Sequence, residues 1–141
     1  MSANSKIYTL ATIQGGVVRR EQALESGMSR SQIERRVKSG EWRVVSTGGY
    51  QLIQLRGRLN RLRAAVAILP NAVASHFSAA AIHTIRLVPT DIVSVTVHAR
   101  TTHAYPGVRV FRSIDLEDMH ITALRDLRAT TLERTVVDLA A

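Results

Sequence analysis

The chain has 141 residues, enough for one ordinary domain or two small ones that share packing, and 45% of them are apolar, so wholesale disorder is excluded. It has no cysteine, which excludes disulfides and thiolate metal sites. The net charge of +8 is unevenly spread: residues 1–63 hold 12 Lys and Arg against 4 Asp and Glu, whereas residues 64–141 hold 7 of each.

Lys6 to Gln14 reads as a first helix, with Ile7, Leu10, Ala11 and Ile13 on its apolar side, ended by Gly15-Gly16. Val17-Val18 is a short extended piece, and Arg20 to Ser26 is a second helix stopped by Gly27. The third helix has the clearest signals. Ser29 is a candidate N-cap, Gln32 three residues on completes a capping box, Met28 and Ile33 occupy staple positions, and Gly40 closes the helix. Ile33 and Val37 form its inner stripe. At about 100° per residue, Ser31 and Arg35 point away from that stripe, flanked by Gln32 and Lys38. Trp42 to Val45 is then a strand, Ser46 to Gly49 a turn and Tyr50 to Ile53 a return strand.

Leu55 to Leu69 reads as a long helix, with Arg56, Arg58, Arg61 and Arg63 on its first half and Leu59, Leu62, Val66 and Leu69 as its apolar stripe. Ala72 to Ala74 is short and extended, and His76 to Ile85 is a small helix. Ile92 to Val97 and Val108 to Arg112 alternate as strands, with a turn at Tyr105-Pro106-Gly107. His120 to Leu124 and Leu127 to Ala129 are further strand candidates, and Thr131 caps a last helix, Leu132 to Leu139. The expected fold is α+β: a winged helix-turn-helix over residues 1–55, then a small mixed α/β domain over residues 56–141 that begins with the long connecting helix. The join between them is a hinge of packing, with no linker composition.

Two helices joined by the tight "SGMS" turn, the second basic on its outer face, make a helix-turn-helix whose second helix suits the major groove. Ser31, Gln32 and Arg35 are placed to face base edges. Arg30, Arg36, Lys38, Arg43 and Tyr50 are placed to grip phosphates, with Ser29, Arg20 and Thr47 beside them. Gly48-Gly49 lets the wing turn approach the backbone. The charge asymmetry is the footprint of a polyanion, and arginine, 17 of the 19 bases, offers a planar fork for phosphate and guanine. Two other readings stand beside duplex DNA. One is a winged fold used only to meet proteins, because fold does not fix function. The other is RNA, for which an aromatic platform is missing.

The stretch "VVRREQALESGMSRSQIERRVKSGEWRVVSTGGYQL" resembles the N-terminal winged domain of the AbiEi family of type IV antitoxins, and "SHFSAAAIH" and "RTVVDLA" further on resemble other segments of that family. The resemblance implies a winged domain that binds operator DNA and represses its operon, with a toxin as a partner. The sequence departs from the pattern at Arg19, where a capping Ser or Thr is common, and at Thr47, where the wing often has proline. It also stops where many relatives continue. The departure at Arg19 suggests a phosphate contact there. A phage immunity repressor is a second biological setting for the same chemistry, and the Leu139-Ala140-Ala141 end resembles a degradation tag as well as the end of an amphipathic helix.

Enzyme chemistry is not expected. Gly15-Gly16 and Gly48-Gly49 lack the Lys-Ser/Thr of a phosphate loop, and no lysine follows Lys38 to complete a D…ExK nuclease. Asp115, Glu117 and Asp118 read as a solvated turn, and His76 and His83 lack a third ligand for zinc. Ser75-His76 lacks a nucleophile setting. No cofactor and no metal are expected. Self-association remains open, and Arg100, His103, Arg109 and Arg112 are a candidate second patch. The chain opens without a secretory pattern and has no apolar run of roughly 20 residues, so a cytoplasmic protein without a membrane span is expected.

Overall fold

A computed structural model describes residues 1–85 and 91–141. Helix α1 (Ala3–Ile13) begins earlier than expected because Ser2 serves as its N-cap, its side chain accepting from the Ser5 amide at 3.1 Å. It buries Ile7 and Ala11 but leaves Ile13 exposed, so the expected apolar side is narrower than the sequence implied. Strand β1 (Val17–Arg19), helix α2 (Arg20–Glu25), helix α3 (Arg30–Lys38) and the hairpin β2 (Arg43–Ser46) and β3 (Gly49–Gln51) follow. The strands pair antiparallel in the order β1-β3-β2. Three helices around a small sheet with a hairpin after the third form the winged helix-turn-helix that the sequence implied.

The sheet has two differently used faces. Val18 pairs with Tyr50 in register, and both pack with Ile7, Ala23, Ile33 and Trp42 in the core under the helices. Val17, one residue earlier, points the other way and packs on Ala64 and Ile68 of helix α4 (Arg58–Ile68). Gly49 sits against the same helix, where an added Cβ would stand 2.7 Å from Ile68 Cγ2. The helix starts three residues later than expected because Gly57 is its N-cap, with φ +100°.

The opposite side of α4 faces a second sheet. Strands β4 (Val73–Ala74), β5 (Val93–His98), β6 (Val108–Ser113), β7 (Ile121–Leu124) and β8 (Leu127–Thr130) lie in the order β6-β5-β4-β8-β7, with β5·β6 and β4·β8 parallel and the other pairs antiparallel. Leu62, Ala65 and Leu69 of α4 pack on Val93, Val95 and Val97. The other face of β5 is polar and covered by helix α5 (His76–Ile82), where the buried Ser94 and Thr96 hydroxyls are matched by Ser75 and Ser78. Helix α6 (Leu132–Ala140) packs on α5, and the buried hydroxyls of Thr130, at the end of β8, and Thr135, on α6, bond to each other. The result is an α+β fold, a winged helix followed by a small α/β unit, with α4 as the wall between their sheets.

Candidate nucleic-acid interface

The recognition helix is fixed at its start by reciprocal capping. The Gln32 amide donates to the Ser29 hydroxyl at 3.1 Å, and the Ser29 amide donates to Gln32 Oε1 at 2.7 Å. Ile33 anchors the inner side and is fully buried. The Trp42 amide closes on the Arg36 carbonyl at 3.0 Å, so the hairpin leaves directly from the helix end. With both ends fixed, Arg30, Ser31, Arg35 and Lys38 all stand exposed, and no ion pair within 4.0 Å engages any of these bases among the described residues. Ser29 and Gln32 are also exposed, but their oxygens are committed to the cap. Gln32 therefore keeps its Nε2–H donors for a base edge, not its acceptor.

The wing turn is short and folds back: the Arg20 amide donates to the Gly48 carbonyl at 2.9 Å. Thr47 is exposed at that turn, beside the start of α2. Arg20 Nη1 donates to the Tyr50 hydroxyl at 3.1 Å, and this bond holds the guanidinium's proton even more firmly than usual. Arg20 is thus oriented from beneath by a core tyrosine.

Four residues expected at phosphates have partners within the fold. Tyr50 is buried on the central strand, its ring 5.8 Å from that of Trp42, and only its hydroxyl reaches outward, to Arg20. Arg19 sends Nη1 to the Ala67 carbonyl at 2.8 Å and so ties the winged sheet to α4. Its amide donates to Gln22 Oε1 at 2.9 Å, while its side chain makes no cap bond to the helix. Arg36 lies over the Trp42 ring at 5.7 Å and pairs with Glu41 at 3.3 Å. Arg43 is in register with Gln51, and through it with Val17, so it lies on the face turned to α4, away from the recognition helix. Strand and helix periodicity places these four side chains on a face, but which face meets DNA depends on long-range pairing.

Several of the remaining candidates have structural partners, whereas the Nδ1 of His103 is buried without a hydrogen bond among the described residues. Arg112 holds the β5–β6 connection through the carbonyls of Thr101 (2.7 Å) and His103 (3.3 Å). Asp115 bonds the Ser113 hydroxyl and pairs with Arg134, which together hold its carboxyl below the usual range. His76 stacks on Phe111 at 3.6 Å with Nδ1 2.9 Å from the Ser75 hydroxyl, and His83 Nε2 donates to the Thr130 carbonyl at 2.8 Å. Among the described residues no three His, Asp or Glu gather as a metal site, and no helix is long and apolar enough to cross a membrane.

Residues 5–53, most of this winged unit, match the AbiEi_4 family model, described as "Transcriptional regulator, AbiEi antitoxin". Over those residues the winged unit is similar to an AbiEi-type region. That family supports a DNA-binding regulatory role in general terms, and the match runs from within α1 through β3, a stretch that holds the recognition helix and its wing. No curated protein matches the chain. Arg43 also converges with Arg56 and Arg61 around one groove, which the sequence does not show. The run of arginines from Arg56 was visible, but its meeting with the wing was not.

Proposed function

We propose that the protein is a sequence-specific DNA-binding repressor, acting on operator duplex without enzymatic chemistry and in the cytoplasm, where that DNA is. One observation carries the reading: α3 is capped, anchored and closed so that Arg30, Ser31, Arg35 and Lys38 are exposed, with Glu34 the one acid of the helix and no ion pair within 4.0 Å of these bases among the described residues. Ser31, Arg35 and the Gln32 amide group face base edges, while Arg30, Lys38, Arg20 and Thr47 take phosphates on either side. Bound protein excludes polymerase from an overlapping promoter. Both an antitoxin-like autoregulator and a phage immunity-type repressor work this way.

A second reading, an antitoxin module that meets a partner toxin, is favoured by the apolar outer side of α6, where Leu132, Val136 and Val137 are exposed. The two separate in one experiment, footprinting on the DNA upstream of the protein's own gene. Repressor function predicts a discrete protected stretch that survives competition by scrambled duplex. Equal binding to both duplexes, with nothing protected, would refute it.

A further inference from the structure

The groove behind the wing is built from three parts of the chain. The winged sheet supplies Arg43 and Gln51, the approach to α4 and its first turn supply Arg56 and Arg61, and the β5–β6 connection supplies Tyr105. Its volume is about 570 Å³, within the range of roughly 300–1,000 Å³ typical of small-ligand sites. Its charge is one-sided: three arginines line it, no Asp or Glu does, and none of the three has a carboxylate within 4.0 Å among the described residues. Arg43 is held in place by its bond to Gln51 Oε1 at 2.6 Å. Three positive charges gathered around a concavity repel one another, and among the described residues no ion pair offsets them.

Duplex DNA on the recognition helix does not explain this groove. Arg43, Gln51 and Val17 share the sheet face that packs on α4, whereas α3 packs on the opposite face through Ile33. A duplex seated on α3 lies across the sheet from the groove. The donors are also those of a small ligand. Arginine forks bind phosphate in a bidentate manner. The Gln54 carboxamide is exposed at the rim, and the half-buried Tyr105 ring offers a flat apolar surface. Burial pushes the Tyr105 hydroxyl pKa up, so it remains a donor.

We propose that this groove binds a nucleoside phosphate, with Arg43, Arg56 and Arg61 on the phosphates and the base against Tyr105 and Gln54. The site goes beyond the DNA-reading role and does not depend on it. A ligand there touches the winged sheet, α4 and the second sheet's connection at once.

Isothermal titration of the full chain with ATP, GTP, adenosine and inorganic pyrophosphate tests it without DNA present. One-to-one saturable binding of a nucleoside triphosphate is expected, tighter than that of pyrophosphate or adenosine. The double variant Arg56→Ala/Arg61→Ala should bind it about tenfold or more weaker, the worth of one charge-assisted contact. Arg35→Ala, whose charge lies on the other side of the sheet, should bind it as the native chain does. Both variants alter exposed side chains, and an unchanged thermal midpoint without ligand verifies the fold. No saturable binding overturns the proposal. So does an equal loss in the Arg35 variant, which marks diffuse attraction to a basic protein, and so does pyrophosphate binding as tightly as the triphosphates.

Discussion

Gly15→Ala probes the contact that makes the winged unit and the rest of the chain one body. Gly15 has φ +73°, a left-handed conformation that costs an alanine about 1 kcal/mol. The added Cβ would also stand 2.1 Å from the Asn60 carbonyl oxygen and 2.8 Å from the Ala64 amide nitrogen, both backbone atoms of α4. Neither can swing aside as a side chain would, so α4 must shift, and overpacking of this kind costs about 1–3 kcal/mol. The sum is about 2–4 kcal/mol, a fall in thermal midpoint of roughly 10 °C for a chain of this length. Trp42, the sole tryptophan, is buried in the winged core, so its fluorescence follows that half while far-UV circular dichroism follows both. The two probes should shift together. A midpoint within about 1 °C of the native value, or separate transitions for the two probes, would refute the clamping of α4 onto the end of α1.

Other expectations follow from single contacts. Ser29→Ala should cost about 1 kcal/mol in urea unfolding by removing the cap of α3, and Ser29→Asp should restore most of it; equal midpoints for all three proteins contradict the capping geometry. Tyr50→Phe removes the acceptor that orients Arg20, so DNA affinity in anisotropy titrations should fall by about 1 kcal/mol or less at every sequence alike. A loss confined to one base position would contradict that. Burial, assisted by Arg134 and Arg109 and opposed by Asp138, holds the His76 imidazole below its ordinary pKa. The unfolded chain therefore takes up the proton first, and stability is full above about pH 6.5 and falls as the pH drops through that value. His76→Asn should flatten the unfolding midpoint between about pH 7 and pH 5, and an unchanged slope would reject the assignment.

The local signals that held were those whose meaning is contained in a few residues. Ser29 with Gln32 marks a helix start whatever the fold around it, and Gly40 and Gly48 stop or turn the chain where the sequence says they do, whereas Gly49, expected in the turn, already stands in β3. What failed to show was direction. Tyr50 reads as an exposed wing residue until β1 pairs with β3 and makes its strand central, a contact between residues more than thirty positions apart. Arg19 and Arg43 have the composition of phosphate ligands, and only the packing of α4 on the sheet turns them away. Arg36 is drawn onto Trp42, a neighbour that helix periodicity alone does not reveal. The remaining outer face, Arg30, Ser31, Arg35 and Lys38, was legible because a capped helix with one buried stripe has only one other side.

Whether α3 reads sequence is decided by base-by-base binding of Arg35→Ala, with duplexes that vary each position of the footprinted sequence and Lys38→Ala run in parallel. The Arg35 variant should lose about 1–3 kcal/mol and relax preference at one position. The Lys38 variant should weaken all sequences alike and lower the salt slope by about one. If Arg35→Ala lost affinity equally at every position and kept the native preference, α3 would be a phosphate grip and not a reader of sequence.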